Sequence, residues 1–158
     1  MKKYITFGAI ILFVIVLDQL TKLLILQTMD LGDSIVVIEN FFEITSHRNQ
    51  GSAWGMFQGE MTFFYLTTVF AYGFFAYLAK DVDLKKKPMY TIAVLLLIAG
   101  TTGNFIDRIR FQEVVDFLDF IIFGYDFPIF NIADMSLVIG AIALGIDVIF
   151  GGHHHENN

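Results

Sequence analysis

Long stretches without charge are the dominant pattern along this chain. Residues 61–79 and 88–106 each run for nineteen positions without Asp, Glu, Lys or Arg. At a rise of about 1.5 Å per residue, a helix of that length reaches roughly 28 Å, close to the hydrocarbon thickness of a bilayer. The pattern therefore predicts two membrane-spanning helices.

Two further stretches, at about 4–26 and 128–150, are apolar except for a few polar residues. The interruptions are Asp18, Gln19 and Lys22 in the first stretch and Asn131, Asp134 and Asp147 in the second. The first stretch begins like a signal peptide, but it lacks a small-residue cleavage site, so we expect a retained helix. Together the stretches predict four spans in a single integral membrane domain covering residues 1–158.

Composition supports this class. Of the 158 residues, 56% are hydrophobic and only 16% charged, whereas soluble domains carry about 25% charged residues. The absence of Cys excludes disulfides, thiolate nucleophiles and Cys-based metal sites. A formal net charge of −6 leaves no basic surface for nucleic acid. His47 is the one histidine before the tail at 151–158, which is set aside, so no multi-His metal centre is expected.

The distribution of Lys predicts the orientation. Lys2 and Lys3 precede the first span, and four more Lys lie in the connection at 80–87. An even number of spans puts these segments on one side, which the positive-inside rule assigns to the cytoplasm. We therefore expect both termini and the inner loop 80–87 in the cytoplasm, and two outer connections at 27–60 and 107–127.

The first outer connection predicts structure of its own. Residues 35–45 are rich in β-branched and aromatic side chains, which favours a short sheet or hairpin lying on the membrane surface. Residues 51–59 include Trp54, Met56 and Phe57 just before a span. Aromatic residues in that position are typical of an interfacial segment.

With this topology, polar residues from separate segments converge on the outer side. A charged side chain within a span costs about 2.5–3.5 kcal/mol on insertion scales, so each one requires a partner or a function. Helical spacing puts Asn104, Asp107 and Arg108 on one face. The converging residues are Asp18, Lys22, Arg48, Asn49, Asn104, Asp107, Arg108, Asp116, Asn131 and Asp134.

Structural roles could explain several of these residues. Asp18 and Lys22 could be an ion pair that ties spans together, and Asn104 and Asn131 could form interhelical hydrogen bonds. The remaining structural interpretations are a solvated helix border for Asp107 and Arg108, loop acids at Asp119 and Asp126, and an interfacial Asp147. Asp134 is the hardest to explain in this way, because it lies in a span with no base at helical spacing.

Two carboxylates are the main catalytic candidates, because the chain has no Cys and only one His before the tail. When two Asp share a site, one keeps a proton, so the pair can activate water and also protonate a carbonyl oxygen. Asp116 and Asp134 suit such a pair, although spacing alone leaves other pairings open. A transporter or proton-relay protein and a structural subunit are the alternatives. A transporter should show acids at the midplane and often internal repeats, and the sequence shows neither.

Five sequence blocks occur in order along the chain. They are DQLTK at 18–22, NQGSAWG at 49–55, GNFIDR at 103–108, VVDF at 114–117 and FNIAD at 130–134. Through these blocks, over about residues 4–150, the chain resembles the lipoprotein signal peptidase (signal peptidase II) family, which are bacterial membrane aspartic peptidases. Ser52 and the pair Thr101 and Thr102 depart from the usual residues of the family, but all three are small.

The resemblance implies a fold and a reaction. The expected fold is an all-α membrane protein with four transmembrane helices, a small extracytoplasmic β-sheet and a short interfacial helix at 53–58. The implied reaction is cleavage of prolipoproteins before a diacylglyceryl-modified Cys, in the bacterial cytoplasmic membrane near its outer face, by a monomer among membrane lipids and without metal or organic cofactor. The implied catalytic pair is Asp116 and Asp134, and the implied supporting residues are Asp18, Lys22, Asn49, Gly51, Asn104, Asp107, Arg108, Asn131 and Ala133.

Overall fold

The computed structural model of the chain describes residues 2–51, 57 and 59–150. Within these residues, four helices are long and apolar enough to cross a membrane, and a small antiparallel sheet connects them at one end. The helices are α1 (Lys2–Thr28), α2 (Met61–Leu78), α3 (Pro88–Phe111) and α4 (Ile132–Phe150). The predicted fold class is confirmed. The expected interfacial helix at 53–58 falls, apart from Phe57, outside the described residues.

The sheet combines two hairpins in the order β1-β2-β3-β4. Its strands are β1 (Ser34–Ile38), β2 (Phe42–Asn49), β3 (Val114–Ile122) and β4 (Tyr125–Asp126). The first hairpin matches the prediction for residues 35–45. The long strand β3 was not predicted, because the buried residues at its start leave no alternation of polar and apolar positions to read.

Helix α3 lies at the centre of the bundle, where it packs against each of the other three helices. Small residues let α3 and α4 approach closely, as is common between membrane helices. A Cβ atom at Gly100 would collide with the carbonyl oxygen of Ala133, and one at Gly140 would lie 3.0 Å from the carbonyl oxygen of Ala93. The sheet is fixed to α1 by Val115 and Phe117 of β3, which pack against Ile25.

Two helix ends differ from the predicted spans by more than two residues. Helix α3 continues past residue 106 to Phe111, because Arg108 and Arg110 in its last turn interact favourably with the helix dipole, and Gln112 caps it in a left-handed conformation. Helix α4 begins at Ile132 rather than at 128. Residues 127–130 instead run beside β3, where the Phe130 amide donates to the Leu118 carbonyl at 3.1 Å.

Candidate active site

Asp116 and Asp134 reach the same cavity from different elements. Asp116 lies on β3, within the outer connection predicted at 107–127, and Asp134 lies in the first turn of α4. Both line a cavity of about 1060 Å³ at the sheet end of the bundle. Its polar wall includes Asn49, Asn104 and Arg108, and its apolar wall includes Leu137, Val138 and Ile139. Two carboxylates therefore face one space that is large enough for an extended ligand.

Asn131 connects the two carboxylates. It precedes α4, where its Oδ1 accepts the Asp134 amide at 2.9 Å while Asp134 Oδ2 accepts the Asn131 amide at 3.2 Å. This reciprocal pair is a capping box, which satisfies two amides that a helix start otherwise leaves without partners. Asn131 Nδ2 donates to Asp116 Oδ1 at 2.6 Å. The side chain that caps α4 thus also positions the carboxylate on β3.

Strand β2 provides the other partner of Asp116. Asn49 Nδ2 donates to Asp116 Oδ2 at 3.0 Å, and Asn49 Oδ1 accepts the Gly51 amide at 2.9 Å. The pKa of Asp116 is raised to about 7, mainly by burial and further by the Asp134 charge, while the hydrogen bonds from Asn49 and Asn131 oppose the rise. Because the pKa is near neutral, the Asp116 carboxyl can hold or release a proton under working conditions.

A second buried polar cluster lies beside the dyad, between α1 and α3. Lys22 is 2% exposed, and its Nζ lies 2.9 Å from a carboxylate oxygen of Asp18 and 2.9 Å from one of Asp107. Asp107 is itself only 1% exposed, so its interpretation as part of a solvated border is wrong. The second oxygen of Asp18 accepts the amide of Ala133 at 2.9 Å, which ties the cluster to α4. Asp18 and Lys22 therefore join three helices.

Asn104 joins this cluster to the dyad. Its Oδ1 accepts Lys22 Nζ at 3.0 Å and Asn131 Nδ2 at 3.1 Å, while its Nδ2 donates to Asp134 Oδ1 at 2.7 Å. Each Asp134 oxygen therefore accepts one protein N–H, as each Asp116 oxygen does. The hydrogen bonds hold both carboxylates in fixed orientations.

Arg108 lies on the cavity wall beside the dyad. Its guanidinium carbon stands 4.4 Å from the centre of the Phe64 ring, and its Nη2 approaches the Gly51 carbonyl at 3.5 Å. Its buried Nε has no hydrogen-bond acceptor among the described residues. A buried donor without a partner costs free energy, so this N–H is available to an acceptor brought by a ligand.

The structure also contains contacts that the sequence analysis missed. Gln19 Nε2 donates to Asp107 Oδ1 at 2.9 Å and contacts the Gly103 carbonyl at 3.2 Å, which completes the buried cluster. The sequence feature that could have identified Gln19 was its position next to Asp18 inside a predicted span. Asp119 is a strand residue whose carboxylate accepts the Thr45 hydroxyl at 2.7 Å, rather than a loop acid. No cluster of three potential metal ligands was found among the described residues.

Comparisons with known proteins define the class. The family model for signal peptidase (SPase) II matches residues 10–150. Lipoprotein signal peptidases of Staphylococcus aureus strains bovine RF122 / ET3-1 and JH9 are each 49% identical to this chain over 150 residues, covering 94% of it and 91% of the relative. The chain therefore belongs to the signal peptidase II family, a family of peptidases, and is a multi-pass bacterial membrane protein.

Solved structures agree with the sequence relatives. Two bacterial membrane enzymes determined by the in meso method superpose on the chain with TM-scores of 0.86 and 0.81, at 47% and 50% identity. The first match covers 97% of this chain and 93% of the other, and the second covers 92% and 93%. The resemblance predicted from the five sequence blocks is confirmed.

Proposed function

We propose that this chain is an aspartic endopeptidase that removes the signal peptide from prolipoproteins by cleaving before the diacylglyceryl-modified Cys, with Asp116 and Asp134 as the catalytic pair. The observation that carries the proposal is that both carboxylates line one cavity and share Asn131 as a hydrogen-bond donor. Both come from the same chain, so the reaction needs only a monomer.

In the proposed reaction the dyad holds one proton and one negative charge. The ionised carboxylate accepts a proton from water as the water oxygen bonds to the scissile carbonyl carbon, and the protonated carboxyl donates to the carbonyl oxygen. The tetrahedral intermediate then collapses: the leaving nitrogen takes a proton from the dyad, the C–N bond breaks, and one hydroxyl of the intermediate returns its proton to the dyad as the C=O bond re-forms. The products are the carboxyl end of the signal peptide and a new amino group on Cys, and the dyad regains its starting proton count.

Neighbouring residues support each step. Asn131, Asn49 and Asn104 orient the carboxylates by the hydrogen bonds described above. The Nε of Arg108, which has no acceptor within the part of the chain that the structure describes, would hydrogen-bond a backbone or ester carbonyl of the substrate. Burial of the acyl chains along the apolar wall would supply affinity at about 0.8 kcal/mol per CH₂ group.

The Lys distribution places both termini and the loop at 80–87 in the cytoplasm under this proposal. The sheet and the dyad then lie at the outer face of the membrane. A signal peptide that spans the bilayer would present its lipid-bearing Cys at that depth, where water can enter. The acids are at one end of the bundle rather than at the midplane, which disfavours the transporter alternative.

The test is cleavage of a lipidated prolipoprotein in liposomes by the wild type, Asp116→Asn and Asp134→Asn. Asn keeps the side-chain shape but cannot serve as a general base, so both variants should lose at least 1000-fold in kcat, about 4 kcal/mol of transition-state stabilisation. The matched controls are Asp119→Asn on β3 and Asp147→Asn on α4, since neither lines the cavity. Near-normal turnover by a folded dyad variant would refute the assignment.

A second substrate tests recognition of the lipid. The same prolipoprotein with an unmodified Cys should be cleaved far more slowly, because the acyl chains supply the binding energy. Equal cleavage of both substrates would show that the apolar wall does not bind acyl chains.

A further inference from the structure

The turn between β3 and β4 breaks a backbone preference. Phe123 has φ +52° and is followed by Gly124 at φ +77°. In the left-handed region a Cβ atom crowds the following carbonyl, so Gly, Asn or Asp normally occupies such turn positions. The β1–β2 turn follows this preference, with Asn40 at φ +57°. A large aromatic residue with positive φ in the turn of the second hairpin therefore requires a reason.

Packing inside the protein does not supply that reason. The Phe123 side chain is fully exposed, and no ring contact involving it was found in the described part of the chain. Ile122 and Phe127 beside it are also exposed. A strained backbone that presents an apolar ring to the outside points to a role in contact with something outside the protein.

The exposed apolar surface extends across the whole end of the sheet. Phe41 accepts the Ile121 amide at 3.0 Å through its carbonyl, which puts the β1–β2 turn beside the β3–β4 turn. We define the distal edge as the exposed apolar residues around these turns: Ile38, Phe41, Ile122, Phe123, Tyr125 and Phe127. Segments 34–45 and 114–127 contain no Lys or Arg.

This surface continues the faces that the spans expose to lipid. On α1, the exposed residues Leu20 and Leu24 are followed by Leu31 in the connection to β1, which is itself exposed at all five positions. The bilayer is therefore the partner whose chemistry fits the distal edge.

We propose that the hairpin tip at Phe123 inserts into the boundary between lipid headgroups and acyl chains and anchors the distal edge to the bilayer. An interfacial depth is required because open sheet edges do not occur within the hydrocarbon region, and aromatic side chains are favoured at the interface. Asp116 lies seven residues earlier, on the strand that leads into this turn, up to roughly 23 Å away at about 3.3 Å per residue. The anchor therefore fixes the tilt of β3 and the depth of Asp116. This inference rests on the membrane-spanning fold and not on the proposed reaction.

The absence of Cys allows a direct test, because a single introduced Cys carries the only label. A nitroxide on Phe123→Cys would be compared in phosphatidylcholine–phosphatidylglycerol vesicles with one on Phe70→Cys, exposed on α2, and one on Lys86→Cys in the inner loop. We expect the label at 123 to collide with oxygen more than with a water-soluble nickel chelate, as at 70. Collision with nickel as frequent as at 86 would overturn the proposal. A label at 123 that is shielded from both oxygen and nickel, and that shows spin–spin broadening, would identify a second copy of the chain as the partner. That result would also overturn the proposal.

A second pair of variants tests the Phe123 ring itself. In an Ile122→Cys labelled chain, Phe123→Asn should lower the ratio of oxygen to nickel collisions several-fold, whereas Phe123→Leu should largely retain it. Asn accepts the left-handed conformation, so the Asn variant should keep or raise its unfolding temperature in detergent. An unchanged collision ratio in the folded Asn variant would show that the ring is not the anchor.

Discussion

Lys22 and Asn104 form a hydrogen bond of 3.0 Å in the buried space between α1 and α3. The ammonium donates to Oδ1, so the Asn104 amide is held with its Nδ2 towards Asp134, to which it donates at 2.7 Å. A buried cation on α1 therefore controls the orientation of a group that binds the carboxylate of α4. The dyad depends on this second set of buried residues.

Replacement of Lys22 by Met should strongly destabilise the fold. It would leave Asp18 and Asp107 buried without a cation, and breaking a buried ion pair in this way typically costs about 3–5 kcal/mol. Unfolding in detergent would measure the loss. Lys3→Met is the control, since Lys3 pairs with Asp83 at 3.7 Å on the exposed surface, where such pairs contribute about 0–1 kcal/mol. Equal stability of the two variants would contradict the structural role of Lys22.

Replacement of Asn104 by Ala should lower catalysis more than stability. It removes the donor to Asp134 but leaves Lys22 with its two carboxylates. A hydrogen bond to a charged group contributes about 1.5–3 kcal/mol, so kcat should fall about 10- to 100-fold. Thr102→Ala on the same helix is the control, because its hydroxyl contacts Tyr72 and the helix backbone rather than the dyad. Unchanged kcat in the folded Asn104 variant would refute the positioning role.

Gly103 allows Asp18 to approach α3. A Cβ atom at this position would lie 2.6 Å from Asp18 Oδ2, so Gly103→Ala should displace the buried carboxylate and lower the unfolding temperature. Gly73→Ala on α2 is the control, because a Cβ there meets nothing within 4 Å and Ala favours the helix. A Gly103 variant as stable as the Gly73 variant would show that the cluster tolerates the displacement.

The pKa of Asp116 predicts a pH dependence. Because burial raises this pKa in the folded protein to about 7, from 3.8, the stabilisation by its protonated form is complete below about pH 4. It is lost as the pH rises through about 7, at no more than about 1.4 kcal/mol per pH unit. Unfolding measured between these pH values should show the wild type losing stability, and Asp116→Asn should show a smaller loss. Activity should also fall above about pH 7, where the dyad loses its shared proton.

Parallel pH profiles of stability for the wild type and Asp116→Asn would contradict this prediction. They would mean that another group controls the pH dependence.

The sequence predicted the spans and the convergence of polar residues because both follow from local rules. A charge-free stretch of sufficient length identifies a span. Successive connections between spans must then lie on alternate sides of the membrane. Strand β3 was missed because its identity depends on β2, more than sixty residues earlier. Its polar residues, Asp116 and Asp119, are also three positions apart rather than at alternate positions. The capping box was also missed, because Asn131 and Asp134 were both assigned to a span. The position of the Lys22 ammonium group relative to Asp107 depends on how α1 and α3 cross. No local pattern in the sequence predicts that crossing.

The double contact of Asn131 has an evolutionary consequence. One side chain starts a helix and holds an acid on a strand, so a substitution there would impair folding and chemistry together. An inhibitor that hydrogen-bonds to Asp116 and Asp134, the two cavity carboxylates that Asn131 holds in place, would therefore meet few viable escape mutations, whereas one that relies on Val138 or Ile139 would meet many. The most durable contact surface in the cavity is its polar side, with the two carboxylates and their amide partners.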